Sequence, residues 1–123
     1  MTIIEAIQAV DSQKPNTYSQ PEKIMWLSEL DGTIKAEIID THEGGEGIVF
    51  NGYDENTPLK TELIVTAPYD RIYKSWLESR IDYANGELTR YNNSVTVFNT
   101  DYLSFQRAYN RKHMPKGSKI KFF

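Results

Sequence analysis

Cysteine is absent from the chain, which excludes disulfides, thiolate metal sites and thiolate nucleophiles and leaves the compartment open. Histidine is scarce: His42 and His113 are the only two, far apart and without the carboxylate spacing of a metal motif. No apolar run approaches the ~20 residues needed to span a bilayer, and the first residues lack a basic region followed by a hydrophobic one. A soluble protein is expected. Excess positive charge is missing too, since 14 basic residues face 17 acidic ones for a net charge of −3. That leaves no broad basic footprint for nucleic acid. There is no internal repeat and no low-complexity tract, so 123 residues read as one domain able to bury a core.

What the sequence does have is a long column of apolar residues: Leu77, Ile81, Ala84, Leu88, Tyr91, Val95, Phe98, Tyr102, Phe105 and Tyr109. They alternate steps of four and three, the spacing of a helix that buries one seam. Tyr69, Tyr73, Trp76, Arg80 and Tyr83 repeat the rhythm on a neighbouring face, so the stretch before Ala84 should be covered on two sides and the later stretch on one. Arg80 either stacks on those rings or packs its stem while its charge reaches water. On this reading, an aspartate at Leu88 buries a charge and costs several kcal/mol. One unbroken rod from Leu77 to Tyr109 would be roughly 50 Å long, against a diameter of about 35 Å for a compact chain of this size. Two long segments are therefore expected, with Ala84-Asn85-Gly86 and Asn99-Thr100-Asp101 as candidate breaks.

Upstream, Thr2-Ile3-Ile4-Glu5 reads as a capping box opening a short helix whose apolar face is Ile3, Ile7 and Val10. Ser19-Gln20-Pro21-Glu22 repeats the cue and opens a second helix with Ile24, Leu27, Ile34 and Ile38 on one face. Residues 24–40 remain open between helix and hairpin, because Asp31-Gly32 before an alternating Ile34 to Ile38 also reads as a hairpin turn. Gly44-Gly45-Glu46-Gly47 stops what precedes it. With no strand before it and no Gly-Lys-Ser/Thr after it, it reads as a flexible connector and not a phosphate loop. Ile48-Val49-Phe50 and Glu62-Leu63-Ile64-Val65-Thr66 are short β-branched runs expected to pair as a small hairpin that leans on helices or on another copy. Pro68 should open the long helical stretch, with Asp70 in its first turn.

The end of the sequence differs in kind. Arg111, Lys112, Lys116, Lys119 and Lys121 concentrate basic charge there, Pro115 and Gly117 end the helix, and Lys119 to Phe123 alternates and finishes on two phenylalanines. A frayed end is the bland reading. The functional one is a strand or hook that docks on a neighbouring subunit or partner.

Little points to catalysis. His42-Glu43 beside the glycines reads as a solvated helix end. Glu78 and Asp82, one helical turn apart, could form a carboxylate pair but more simply belong to a charged surface. No Ser-His-Asp, HExxH or dinucleotide pattern is present. No enzyme activity, metal or cofactor is expected. Nine of the 15 aromatics lie between Tyr69 and Tyr109, where core packing is the default. Tyrosine predominates, and it suits surfaces buried against a partner.

Two sets of residues carry a resemblance. Thr2-Ile3-Ile4-Glu5-Ala6-Ile7, a Pro-Asn turn, then Lys23-Ile24-Met25-Trp26-Leu27 with Leu30-Asp31 resembles the opening of tailed-bacteriophage head-to-tail connector proteins of the adaptor or head-completion family. Ala67-Pro68-Tyr69-Asp70, Ile81-Asp82-Tyr83-Ala84-Asn85-Gly86-Glu87, Arg90-Tyr91-Asn92-Asn93-Ser94 and Tyr109 to Gly117 are similar to small structural proteins of phages and prophages of Gram-positive bacteria. The resemblance implies a homo-oligomeric ring beneath the portal protein, contacting tail or stopper proteins around a DNA channel. It also implies residence in the virion, and in the host cytoplasm during assembly.

The expected fold class is mainly α: an elongated helical bundle with a small β-hairpin excursion at about 44–66 in a domain of residues 1–113, and an extended basic and aromatic tail at 114–123. Expected assembly residues are Lys119, Ile120, Lys121, Phe122 and Phe123 in the tail, with Ile48, Val49, Phe50, Leu63 and Val65 in the excursion. A ring subunit must offer one surface to the next copy, and a mildly acidic chain lets DNA slide past. The alternatives are a small nucleic-acid-binding regulator using the basic end and a stand-alone coiled-coil oligomer.

Overall fold

A computed structural model describes residues 1–116. The protein is mainly helical, with 59% of the described residues in helix and no strand among them. Four α-helices follow in order: α1 (Ile3–Gln13), α2 (Gln20–Ile34), α3 (Ile72–Ala84) and α4 (Leu88–Lys112), with α2 running on into a π turn over Lys35–Ile39.

The local signals place the first two helices well. Thr2 Oγ accepts from the Glu5 N–H at 3.3 Å while the Glu5 carboxylate accepts from the Thr2 N–H at 2.9 Å, satisfying two otherwise orphaned donors. Ser19 caps α2 by accepting from the Glu22 N–H at 3.3 Å. Asp31-Gly32 lies inside α2 and forms no hairpin. The added Cβ of a larger residue at Gly32 would sit 3.4 Å from the Phe50 ring, so the glycine admits a neighbour and makes no turn.

Residues 85–87 separate the two long helices, with Gly86 at φ 73°, a left-handed conformation that glycine adopts without a Cβ clash. Asn99-Thr100-Asp101 does not interrupt α4. At 25 residues α4 is about 37 Å long. Helix α3 begins at Ile72, four residues after Pro68, once turns over Thr66 to Asp70 have reversed the chain.

Helix α3 lies at the centre. It packs on α1, α2 and α4, and its buried residues Ile72, Tyr73, Ser75, Leu77, Ser79, Ile81 and Asp82 wrap around it. Helix α4 buries one face through Phe98, Phe105, Ala108 and Tyr109. The seam is interrupted near the turn, where Ala84 and Leu88 are exposed, Leu88 at 66%.

The β-hairpin is corrected. The Leu63, Ile64 and Val65 N–H groups donate in turn to the Met1 carbonyl (2.9 Å), the Asp31 carboxylate (3.1 Å) and the Tyr73 hydroxyl (2.7 Å). With those donors satisfied elsewhere, no ladder to residues 48–50 remains to be made. The return leg of the excursion instead meets the residues before α1: a single antiparallel bridge joins Thr2 and Glu62, and the Ile3 N–H donates to the Thr61 carbonyl at 3.1 Å. No helix among the described residues is long and apolar enough to cross a membrane.

Candidate assembly surface

The excursion is held by one acid. Asp31 is fully buried; its Oδ1 accepts from the Tyr73 hydroxyl at 2.7 Å, and its Oδ2 accepts from the Tyr53 hydroxyl at 2.6 Å and the Ile64 N–H at 3.1 Å. Tyr53 belongs to the outward leg, Ile64 to the return leg and Tyr73 to α3, so one carboxylate on α2 gathers three separate segments. Burial pushes its pKa above the ordinary carboxylate range, opposed by the three hydrogen bonds it accepts. Burial and the neighbouring Asp31 charge push both tyrosine hydroxyls upward as well. Ser28 adds a second tie by accepting from the Tyr53 N–H at 2.9 Å.

The expected assembly residues separate into groups. Leu63 and Val65 are 3% and 1% exposed and belong to the core, a correction that follows from the alternation of the return leg: its odd-numbered residues point inward. Phe50 is half-buried, its ring edge-on to Tyr53 at 5.0 Å and facing Gly32. Ile48 is half-buried at the rim of a groove, and Val49 is 78% exposed. Lys119, Ile120, Lys121, Phe122 and Phe123 lie outside the described residues.

That groove, of about 250 Å³, runs between the last turns of α4 and the return leg. Ile39, Ile48, Ile64, Phe105 and Ala108 supply its apolar wall, and Tyr109, Lys112 and His113 line it from the end of α4. The Tyr109 side chain is mostly buried, yet its hydroxyl has no hydrogen-bond partner among the described residues. Burial and the Glu46 and Asp40 carboxylates push that hydroxyl's pKa up. Gly45 lets the backbone approach it: a Cβ there would sit 2.6 Å from Ile39 Cγ2 and 3.4 Å from the Tyr109 oxygen.

Tyr109 also unites the two histidines. His113 stacks on it at 3.9 Å and His42 meets it edge-on at 5.2 Å. His42 is no solvated helix end: it is 7% exposed, its Nδ1 donates to the Ile38 carbonyl at 2.6 Å, and its Nε2 lies 2.5 Å from the Asn110 side-chain amide. Residues 41–43 pair with the chain leaving α4, the Glu43 N–H donating to the Met114 carbonyl at 2.8 Å and the Lys116 N–H to the Thr41 carbonyl at 2.9 Å. The outset of the expected tail therefore runs antiparallel to residues 41–43, just beyond the π turn.

Elsewhere, Glu78 and Asp82 engage different lysines. Buried Asp82 accepts from Lys14 at 2.8 Å, and Glu78 lies 3.7 Å from Lys74. Arg80 is stacked, its guanidinium carbon 4.5 Å from the Trp76 ring centre, 5.3 Å from that of Tyr83 and 5.7 Å from that of Tyr91. Nothing on either side of Tyr109 announces the groove in the sequence; only the three glycines at 44, 45 and 47 hint at a close approach. Compared with protein-family models, curated proteins and solved structures, the chain matches none.

Proposed function

We propose that the chain is a non-enzymatic structural adaptor of a tailed-phage head-to-tail connector. On this reading, copies of an elongated helical bundle form a ring beneath the portal protein, bind tail or stopper proteins, and surround DNA without reading its sequence. The assignment rests on the family resemblance of the residue strings quoted above. The observation that carries it is a groove with an apolar wall at the end of α4, beside the point where the basic segment departs. A pinned excursion with Val49 at its exposed edge supplies a second contact of fixed shape. Location in the virion, and in the host cytoplasm during assembly, follows from the same reading.

The test is sedimentation of the purified chain with assembled portal rings, with and without Lys119–Phe123. The full chain should cosediment, and the shortened chain should keep its helical circular-dichroism signal but stay in the supernatant. A shortened chain that unfolds, or a full chain indifferent to portal rings, removes the assignment. Retention on heparin that falls steeply with salt would instead favour the nucleic-acid-binding alternative.

A further inference from the structure

Arg80 is a half-buried base that the described fold leaves without an acid. The other basic residues withdrawn from the surface, Lys14, Lys23, Lys35 and Lys74, each lie against a carboxylate. The Arg80 guanidinium lies instead against the rings of Trp76, Tyr83 and Tyr91. Its Nε–H is buried and has no acceptor, Nη2 reaches the Tyr91 hydroxyl only at 3.4 Å, and Nη1 makes no hydrogen bond among the described residues. The rings fix the plane of the fork and keep water from its faces, which strengthens its attraction for an opposite charge. The end-on edge, Nη1 and Nη2, is left unused.

Two of the neighbouring side chains are open to solvent. Tyr83 is 64% and Leu88 66% exposed, and with Tyr91 they line a hollow of about 310 Å³ at the turn between α3 and α4. Tryptophan, tyrosine and arginine gathered beside exposed apolar area are the composition of an interface centre. The acids at the hollow are already engaged, Asp82 by Lys14 at 2.8 Å and Glu87 by Arg90 at 3.2 Å. Their charge also disfavours a phosphate, which brings more negative charge than one guanidinium offsets. A single carboxylate beside an apolar side chain suits both parts.

We infer that this surface docks a partner protein through a segment whose aspartate or glutamate carboxylate meets Arg80 and whose adjoining apolar side chain enters the hollow between Tyr83, Leu88 and Tyr91. A planar guanidinium held flat is preorganised for a carboxylate. The hollow is formed largely by exposed residues and does not enclose a ligand, which favours a protein segment over a free small acid. It lies at the start of α4, far along the helix from the groove at its end. The inference does not rest on the adaptor reading, and either can fail alone.

The probe is the peptide acetyl-Ser-Leu-Glu-Leu-Ser-amide, titrated into the isotope-labelled full chain and followed by NMR, with the Gln-for-Glu peptide as control. Saturable shifts are expected at the Gly86, Leu88 and Tyr91 amides and at the Arg80 Nε–H. The Glu peptide should bind at least about tenfold more tightly than the Gln peptide, as loss of a charge-assisted hydrogen bond requires. Arg80→Gln should abolish that preference. Tyr83→Ser, at an exposed position that leaves the fold intact, should weaken both peptides and keep their ratio. Equal binding of the two peptides, saturable shifts confined to other parts of the chain, or no saturable shift overturns the assignment. Three further results would each overturn the partner protein's carboxylate as the occupant. Tighter binding of the phosphoserine-for-Glu peptide would assign a phosphate, phenylpropionate binding as tightly as the Glu peptide would assign a free acid, and movement of the same signals with protein concentration alone would assign a second copy.

Discussion

The Tyr73 hydroxyl donates to Asp31 at 2.7 Å while accepting from the Val65 N–H at the same distance, with both side chains removed from water. A helix–helix contact and a loop anchor thus share one oxygen. Tyr73→Phe keeps the ring and strands the Val65 N–H, so it should lower stability by about 1–3 kcal/mol. Asp31→Ala strands three donors at once and should cost roughly 3 kcal/mol or more. Urea unfolding measures both.

The same acid sets a pH dependence of known sign. Because its folded pKa is raised above the ordinary 3.8, the native state holds the proton where the unfolded chain has lost it. The contribution of Asp31 is therefore greatest below the unfolded value and falls as pH rises through the folded one. At Asp11, burial pulls the pKa upward but the bonds from Lys23 and Asn16 outweigh it, and the net lowering gives a contribution lost as pH falls. Comparing the wild type with Asp31→Asn by urea unfolding from acid to neutral pH isolates the first effect. The stability of the wild type relative to the variant should decline as pH increases.

Leucines of one column should behave in opposite ways. Leu77 is fully buried and Leu88 is 66% exposed. Leu77→Ala should cost about 2–5 kcal/mol, and Leu88→Ala should stay within about 0.5 kcal/mol. Thermal melts of the two variants decide it, and the exposure of Leu88 replaces the large penalty that its periodicity suggests for an aspartate there.

Gly45→Ala probes the packing against Ile39 and Tyr109, two residues that line the groove. Its Cβ would meet Ile39 Cγ2 at 2.6 Å and the Ile39 carbonyl oxygen at 3.1 Å, and since one contact is backbone the π turn must shift. A loss of about 1–3 kcal/mol is expected from such overpacking, again by denaturant titration.

Where the sequence is legible, the reason is local. The caps at Thr2 and Ser19 are made by residues three apart, and the break at Gly86 is set by one glycine. The return leg misleads because its β-branched run satisfies the strand rule, while its partners, Met1, Asp31 and Tyr73, are distant in sequence. Asp31 nevertheless left a trace. Ile24, Leu27, Asp31, Ile34 and Ile38 keep alternating steps of three and four, so an acid occupies the buried stripe of α2, and a buried acid must gather donors. The groove left no such trace, because its lining comes from the π turn, the excursion and α4 together.

Thr41 and Glu43 grip the departing chain by its backbone, with His42 between them reaching across to Asn110. A pull on anything that follows Lys116 is thus carried into the π turn that continues α2 as well as into α4. Tension there loads two helices in parallel instead of unwinding the last turn of one.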